Sequence, residues 1–290
     1  MVIVRIWEGL GNQMFQYAYA KALNLKGIDV RLDLANAFDD VFLIWKNKHD
    51  ARRDICIQKF KISLPIIDVC TYGKYDYIQQ NTICKKIIFW LAKHSLWKYK
   101  FVEEFGKFHF NRRLDNKDNY YIKGYFQDEK YFKHIRSTLL KEFVPPEKIK
   151  ISRELKNALN DNESVSLHIR RGDYVKLKLS LNRLYYMKAI EYIKKIYNNP
   201  IFVVFSDDLK WVRENIDTNS RVVYANEDGK LKDYEELFIM SRCKSNIISN
   251  STFSWWAAWL NTYEKKIVIA PKKWMKPQEN IIPNDWIVIE

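Results

Sequence analysis

From residue 164 onward the chain alternates between two kinds of stretch. Runs rich in apolar residues, "SVSLHIR" (164–170), "IFVVFS" (201–206), "RVVYA" (221–225), "SNIIS" (245–249) and "KIVIAP" (266–271), read as strands, and most of them show no alternation of polar and apolar positions. Between them lie segments of helical periodicity, "LYYMKAIEYIKKIYNN" (184–199), "LKWVRENI" (209–216), "DYEELFIMSRC" (233–243) and "FSWWAAWLN" (253–261). Apolar strands separated by helices predict a parallel sheet covered on both faces. The N-terminal part opens in the same way. "VIVRIWE" (2–8) reads as a buried strand and "GLGNQ" (9–13) as a tight turn. "MFQYAYAKALNLKG" (14–27) reads as a helix stopped by Gly27, and "IDVRLD" (28–33) as a second strand. Residues 36–110 carry no clean period; after them "YYIKGYF" (120–126) predicts a strand and "DEKYFKHIRSTLLKEF" (128–143) a helix. Pro145-Pro146 interrupts the pattern and is taken as the junction between an N-terminal domain, 1–145, and a C-terminal domain, 146–290.

Composition narrows the class of partner. A 47% apolar fraction with 15% aromatics is globular, and 49 basic against 35 acidic residues give a net charge of +14. That charge favours an anion: nucleic acid, a membrane surface or a phosphorylated small molecule. Residues 51–100 hold ten Lys/Arg against three Asp, whereas 201–250 are slightly acidic, so no basic stripe runs the whole chain. Cys56, Cys70, Cys84 and Cys243 form neither a CxxC nor a metal-ligand spacing and read as free thiols in a reducing compartment. The N-terminus has no basic segment followed by a long apolar one, and no apolar run approaches the ~20 residues of a membrane span. The expectation is a soluble cytoplasmic protein. "CKKIIFWLAKHSLWKYKF" (84–101) holds five lysines and no acid. As an amphipathic helix it would either cover the N-terminal domain's core or rest peripherally on an anionic membrane surface.

The unusual residues of the second half all fall at strand ends, where parallel sheets bind ligands. His168, Arg170 and Arg171 end the first strand. Guanidinium forks suit phosphate oxygens, and two in succession can neutralise a diphosphate; the alternative is a solvated pair partnered by Asp173. "SDD" (206–208) follows the next strand and reads either as a metal-holding pair or, in preference, as a helix cap. "SNSTFSWWAAWL" (249–260) sets Ser251, Thr252 and Ser254 around a helix N-terminus, which suits an anion or plain capping, while Trp255, Trp256 and Trp259 read as packing. "GLGNQ" begins like a dinucleotide fingerprint, with Met14 where the third glycine would stand.

Taken together, "GLGNQMFQYAYAKAL", "HIRRGDY", "FSDD" and "NSTFSWWAAWL" resemble glycosyltransferase family 11, the GDP-fucose-dependent α-1,2-fucosyltransferases. The matching stretches run from residue 9 to residue 260, and residues 40–115 contribute nothing to them. The resemblance implies an α/β, GT-B-like architecture of two Rossmann-like domains with parallel sheets facing a central cleft. The N-terminal domain would be the acceptor side, with Gly11, Asn12 and Gln13, and the C-terminal domain would bind the nucleotide sugar. It further implies inverting transfer of fucose from GDP-fucose to the 2-hydroxyl of a galactose-terminated or lipid-linked glycan in bacterial surface polysaccharide synthesis, with no essential metal. By analogy with fucosyltransferases sharing the HxRR motif, Arg170 would grip the β-phosphate. Arg171 would support the fold or the donor, and His168 would lie near the nucleotide. Asn250, Ser251, Thr252 and Phe253 would line the phosphate side, Glu236 (or Glu235) would accept from guanine N1 and N2, and Asp173 is the nearest carboxylate for a base. Glu8 stands where the family usually has another glycine. Two other readings stay open: a different nucleotide sugar, and a basic nucleic-acid-binding protein, for which hydroxyl clusters at strand ends have no use.

Overall fold

The computed structural model describes residues 1–34, 55–67, 99–104, 118–274 and 281–290. The chain forms two compact units, Met1–Gln58 with Ile62–Glu142, and Phe143–Glu290 with Lys59–Lys61. The division falls at Glu142/Phe143, shortly before the proline pair.

The first unit contains β1 (Val2–Arg5), α1 (Leu10–Asn24), β2 (Val30–Asp33), β3 (Tyr99–Glu104), β4 (Asn119–Gly124) and α2 (Arg136–Glu142). Its sheet has the order β2-β1-β4-β3 with every pair parallel. All of β1 is buried, as its unalternating sequence requires. "GLGNQ" is not a free-standing turn. The Gly9 carbonyl accepts from the Asn12 and Gln13 amides at 2.9 and 3.1 Å, so these residues form the first turn of α1. Past the helix end Gly27 takes φ +86°, a conformation open to glycine and strained for other residues. The helix expected over 128–143 is broken. Two 3₁₀ turns, Glu129–Tyr131 and Lys133–Ile135, precede α2, because Asp128 caps the first and Phe132 (φ −142°, ψ 0°) leaves helical geometry. The amphipathic stretch 84–101 cannot be helical throughout, since Tyr99–Glu104 pairs with β4 as a strand; residues 84–98, like Cys70 and Cys84, lie outside the described residues. No described helix is long and apolar enough to cross a membrane.

The second unit contains α3 (Arg153–Asn160), β5 (Ser164–Ile169), α4 (Gly172–Lys176), α5 (Arg183–Lys194), β6 (Ile201–Ser206), α6 (Leu209–Asn215), β7 (Val222–Tyr224), α7 (Asp233–Met240), β8 (Ser245–Ile247), α8 (Thr252–Leu260), β9 (Val268–Pro271) and β10 (Ile287–Ile289). Its sheet runs β10-β9-β8-β5-β6-β7, again wholly parallel. Val165, Leu167 and Ile169 of β5 join Tyr185, Ile190 and Ile193 of α5 in one apolar cluster. The alternate residues of β5, Ser164, Ser166 and His168, are buried as well. Asn246 of β8 donates to Ser166 Oγ at 2.7 Å and to the Met240 carbonyl at 3.1 Å, and Asn261 donates to Asn246 Oδ1 at 2.8 Å. This satisfied polar network locks β8 against β5. The chain leaves β5 towards β6 and β7, then returns on the other side through β8, β9 and β10. The β5/β8 junction is therefore the switch point of the sheet, where an open parallel sheet leaves a crevice at its carboxyl edge.

Candidate active site

The residues singled out at strand ends converge on that edge. His168 comes from β5 and Ser249 from the end of β8, and His168 Nδ1 lies 3.0 Å from Ser249 Oγ across the switch point. Burial, reinforced by the positive charge of Arg170, pulls the imidazole down to about 3, so His168 is neutral at physiological pH. Its ring lies 5.6 Å from that of Phe253, the second residue of α8. Ser251 caps α8, accepting from the Phe253 amide, and Thr252 opens the helix. Ser254 turns inward and donates to the Ser251 carbonyl at 3.3 Å, which removes it from any ligand role. The neighbouring tryptophans pack as expected, with Trp255 and Trp256 fully buried. Asn250 is buried too, and its Nδ2 donates to the Leu179 carbonyl at 2.9 Å, tying the loop after α4 to the start of α8.

The adjacent arginines do not wait for an external anion. Arg170 donates through Nη2 to Asp173 Oδ1 at 2.7 Å and pairs through Nη1 with Asp207 Oδ2 at 2.8 Å. Arg171 turns the other way: its Nε meets Asp208 Oδ2 at 3.1 Å and its guanidinium lies 3.8 Å from the Trp211 ring centroid. The cap expected within "SDD" is present, but it is Asp208, not Ser206 or Asp207, that accepts from the Trp211 amide at 3.1 Å, because Asp208 is the residue that immediately precedes α6. Asp207 has a different task, accepting from the Arg171 amide at 2.8 Å while holding Arg170. The fit is close enough that a Cβ on Gly172 would come within 2.6 Å of Asp207 Oδ2. Glu236, on α7, accepts from the Asn226 amide. Burial, offset in part by that bond and reinforced by Asp233 and Asp207, raises its carboxyl to about 7. Glu235, the alternative to Glu236, closes the helix cap, accepting from the Lys232 amide at 2.9 Å.

A second polar group lies at the carboxyl edge of the first unit, between the central strands β1 and β4. Glu8 has φ +63°, the left-handed region, which costs a residue with a Cβ roughly 1 kcal/mol or more. Its carboxylate accepts from the Tyr125 hydroxyl at 2.7 Å and from Asn12 Nδ2 at 2.6 Å, and Asn12 Oδ1 accepts from Gln127 Nε2 at 2.8 Å. Gln13, expected on the acceptor side, is fully buried instead. Its Oε1 accepts from the Cys56 and Ile57 amides at 2.9 and 3.0 Å, and its Nε2 donates to the Glu8 carbonyl at 2.6 Å. Gly11 is likewise buried inside the first turn of α1. Both therefore shape the backbone around Glu8 and leave Asn12 as the half-buried member of the three.

A family model described as Glycosyl transferase family 11 matches residues 1–290. The chain belongs to glycosyl transferase family 11. The O-antigen biosynthesis glycosyltransferase WbnK of Escherichia coli is 34% identical over 96% of this chain and 97% of its own length. An alpha-1,2-colitosyltransferase of Escherichia coli is 30% identical over 100% and 99% of the two chains. A galactoside alpha-(1,2)-fucosyltransferase 2 of Pongo pygmaeus is 32% identical over 48% of this chain and 44% of its own. Family membership selects the glycosyltransferase reading over the nucleic-acid-binding one. Three features of this family 11 chain escaped sequence reasoning: the short helix α4, the role of Asp207 as partner of Arg170, and Trp211 as the platform under Arg171. One signal for the second was legible, since three aspartates at two adjacent strand ends outnumber the two arginines they face.

Proposed function

We propose that the protein is an inverting α-1,2-fucosyltransferase that moves L-fucose from GDP-fucose to the 2-hydroxyl of a galactose-terminated glycan, in the assembly of a bacterial surface polysaccharide. What carries the reading is the switch point of the second unit, where Arg170, neutral His168 and the N-terminal turn of α8 stand beside the half-buried carboxyl of Glu236. In this reading the guanidinium of Arg170 takes the β-phosphate and stabilises the charge that grows on the diphosphate as the sugar C1–O bond breaks. Arg170 already holds two carboxylates, and an incoming diphosphate competes with them for its N–H donors. Asp173 is the more exposed of its two partners. In this reading Asp173, the nearest carboxylate to that grip, takes the proton of the attacking hydroxyl. The nucleotide is tested by thermal stabilisation. GDP is expected to raise the melting temperature well above UDP or ADP at equal concentration; equal shifts from all three would remove guanine recognition. A related reading, transfer of the 3-deoxy sugar colitose, is favoured by the relative that is 30% identical over the whole chain. Competition between GDP-fucose and GDP-colitose for one acceptor separates the two.

Glu236 gives this reading a pH dependence. Guanine presents two adjacent N–H donors, which a carboxylate accepts with both oxygens, whereas a carboxylic acid turns one of those oxygens into a donor. Because its carboxyl is raised to about 7, GDP affinity is expected to be constant above that pH and to fall as pH drops through it, with a proton released on binding below it. Calorimetric titration at about pH 6 and pH 8 reads both effects, and Glu236→Gln should flatten the profile.

Metal independence is a further expectation. The oxygens of Asp207 accept from the Arg171 amide and pair with Arg170, and those of Asp208 accept from the Trp211 amide and Arg171 Nε. A cation at this pair would have to break those contacts. Transfer should survive exhaustive EDTA treatment; loss on chelation with recovery on Mn²⁺ or Mg²⁺ would reverse the assignment of both aspartates.

A further inference from the structure

We propose that Glu8 and Trp7 form the acceptor-recognition site of the first unit, with the Glu8 carboxylate binding a vicinal diol of a neutral pyranose and the Trp7 ring lying against its C–H face. Four observations carry this. The carboxylate stands at the carboxyl edge of the sheet between its two central strands, whose outgoing connections diverge: β1 runs into α1 and on to β2, and β4 into the 3₁₀ turns and α2. Among the described residues it is fixed in place by neutral donors only, the Tyr125 hydroxyl and the Asn12 side-chain amide. A carboxylate offers roughly four lone-pair positions, and these two bonds leave about two of them for a ligand.

The aromatic wall stands beside it. The rings of Trp7 and Tyr125 lie 5.0 Å apart at 36°, and Trp7, Glu8, Asn12, Tyr125 and Gln127 are all half-buried. Trp7 Nε1 is buried with no acceptor among the described residues. Finally, the left-handed backbone at Glu8 is one that glycine adopts without strain, so a side chain is kept there against a conformational cost. Glu8 forms no ion pair among the described residues, while Lys123 Nζ and Arg5 Cζ stand over the Trp7 ring, 5.0 and 6.0 Å from its centroid. A carboxylate held by neutral partners points this site to a neutral, hydroxyl-rich ligand whose C–H face would take the place of a cation on Trp7. The inference rests on the proposed glycan transfer for its place in the reaction, but not for the binding itself.

The experiment therefore measures binding and turnover separately. A panel of neutral β-galactosides, β-glucosides and N-acetylglucosaminides is titrated by saturation-transfer NMR against the wild-type protein, Glu8→Gln and Glu8→Gly. Binding of at least one panel sugar by the wild type is expected, weakened about tenfold or more in both variants, with the GDP-induced thermal shift unchanged. In the transfer assay the acceptor KM should rise by the same factor while the donor KM and kcat at saturating acceptor stay near wild type. A role in folding alone would instead lower the melting temperature and alter both KM values. Glycine accepts the backbone conformation at position 8, so Glu8→Gly remains informative if Glu8→Gln folds poorly. Undiminished sugar binding by both variants, or no binding of any panel sugar by the wild type, overturns the proposal. A wild type that binds a panel sugar yet transfers nothing from GDP-fucose or GDP-colitose would sink the fucosyltransferase reading and leave this one standing.

Discussion

Arg170→Lys is expected to fold as the wild type does and to transfer sugar roughly 10²- to 10³-fold more slowly, the loss seen when one preorganised donor to a developing oxyanion is removed. The lysine keeps the charge, so a uniform electrostatic contribution survives. What disappears is the planar fork that holds Asp173 through Nη2 and Asp207 through Nη1 and still has N–H groups to offer a phosphate. A lysine ammonium placed there reaches one of these partners at a time. The loss should fall on kcat under saturating donor, with the melting temperature little changed. Near-normal turnover in a folded Arg170→Lys protein would take Arg170 out of the mechanism.

Gly172→Ala should be nearly as damaging from a residue with no functional group. The added methyl would stand 2.6 Å from Asp207 Oδ2 and 3.2 Å from its Cγ, closer than carbon tolerates. Asp207 cannot retreat without giving up Arg170 on one side and the Arg171 amide on the other. We expect about a hundredfold loss of activity and a destabilisation of about 1–3 kcal/mol, typical of overpacking. The double variant Gly172→Ala/Asp207→Ala distinguishes the cause. If the clash with Asp207 is responsible, the double variant is no worse than Asp207→Ala alone, a non-additivity expected only of residues in contact. Additive losses would place the damage in the backbone of α4 instead.

The second unit was legible almost strand by strand because β6 and β9 read as apolar runs, and the shorter or polar-interrupted β5 and β8 fall between helical segments in the same series; all four are buried on both faces. The convergence of His168, Arg170, Ser251 and Glu236 was legible for the same reason, since parallel strands send their carboxyl ends to one edge. What the pattern could not show is pairing between side chains from different strands. "SDD" after a strand looks alike whether Asp207 caps a helix or holds an arginine 37 residues earlier. In the first unit the difficulty was local. "GLGNQ" carries two glycines and reads as a turn, yet its amides close onto the Gly9 carbonyl and start a helix. Gln13 looks surface-bound by type, but each end of its amide satisfies buried backbone groups, which residue identity alone cannot reveal. Strand β3 was hidden because its six residues follow a lysine-rich aromatic segment with no period of two.

The proposed transfer of fucose from GDP-fucose onto the 2-hydroxyl of galactose is tested most directly by product analysis. The purified protein is incubated with GDP-fucose and a set of galactose-terminated oligosaccharides, and the product's linkage and anomeric configuration are read by NMR. An α-linked fucose on the galactose 2-hydroxyl, with GDP released in equal amount and no product from Arg170→Lys on the same timescale, is the predicted result. A β-linked product, a different linkage position, or transfer only from a donor carrying another nucleotide would contradict it.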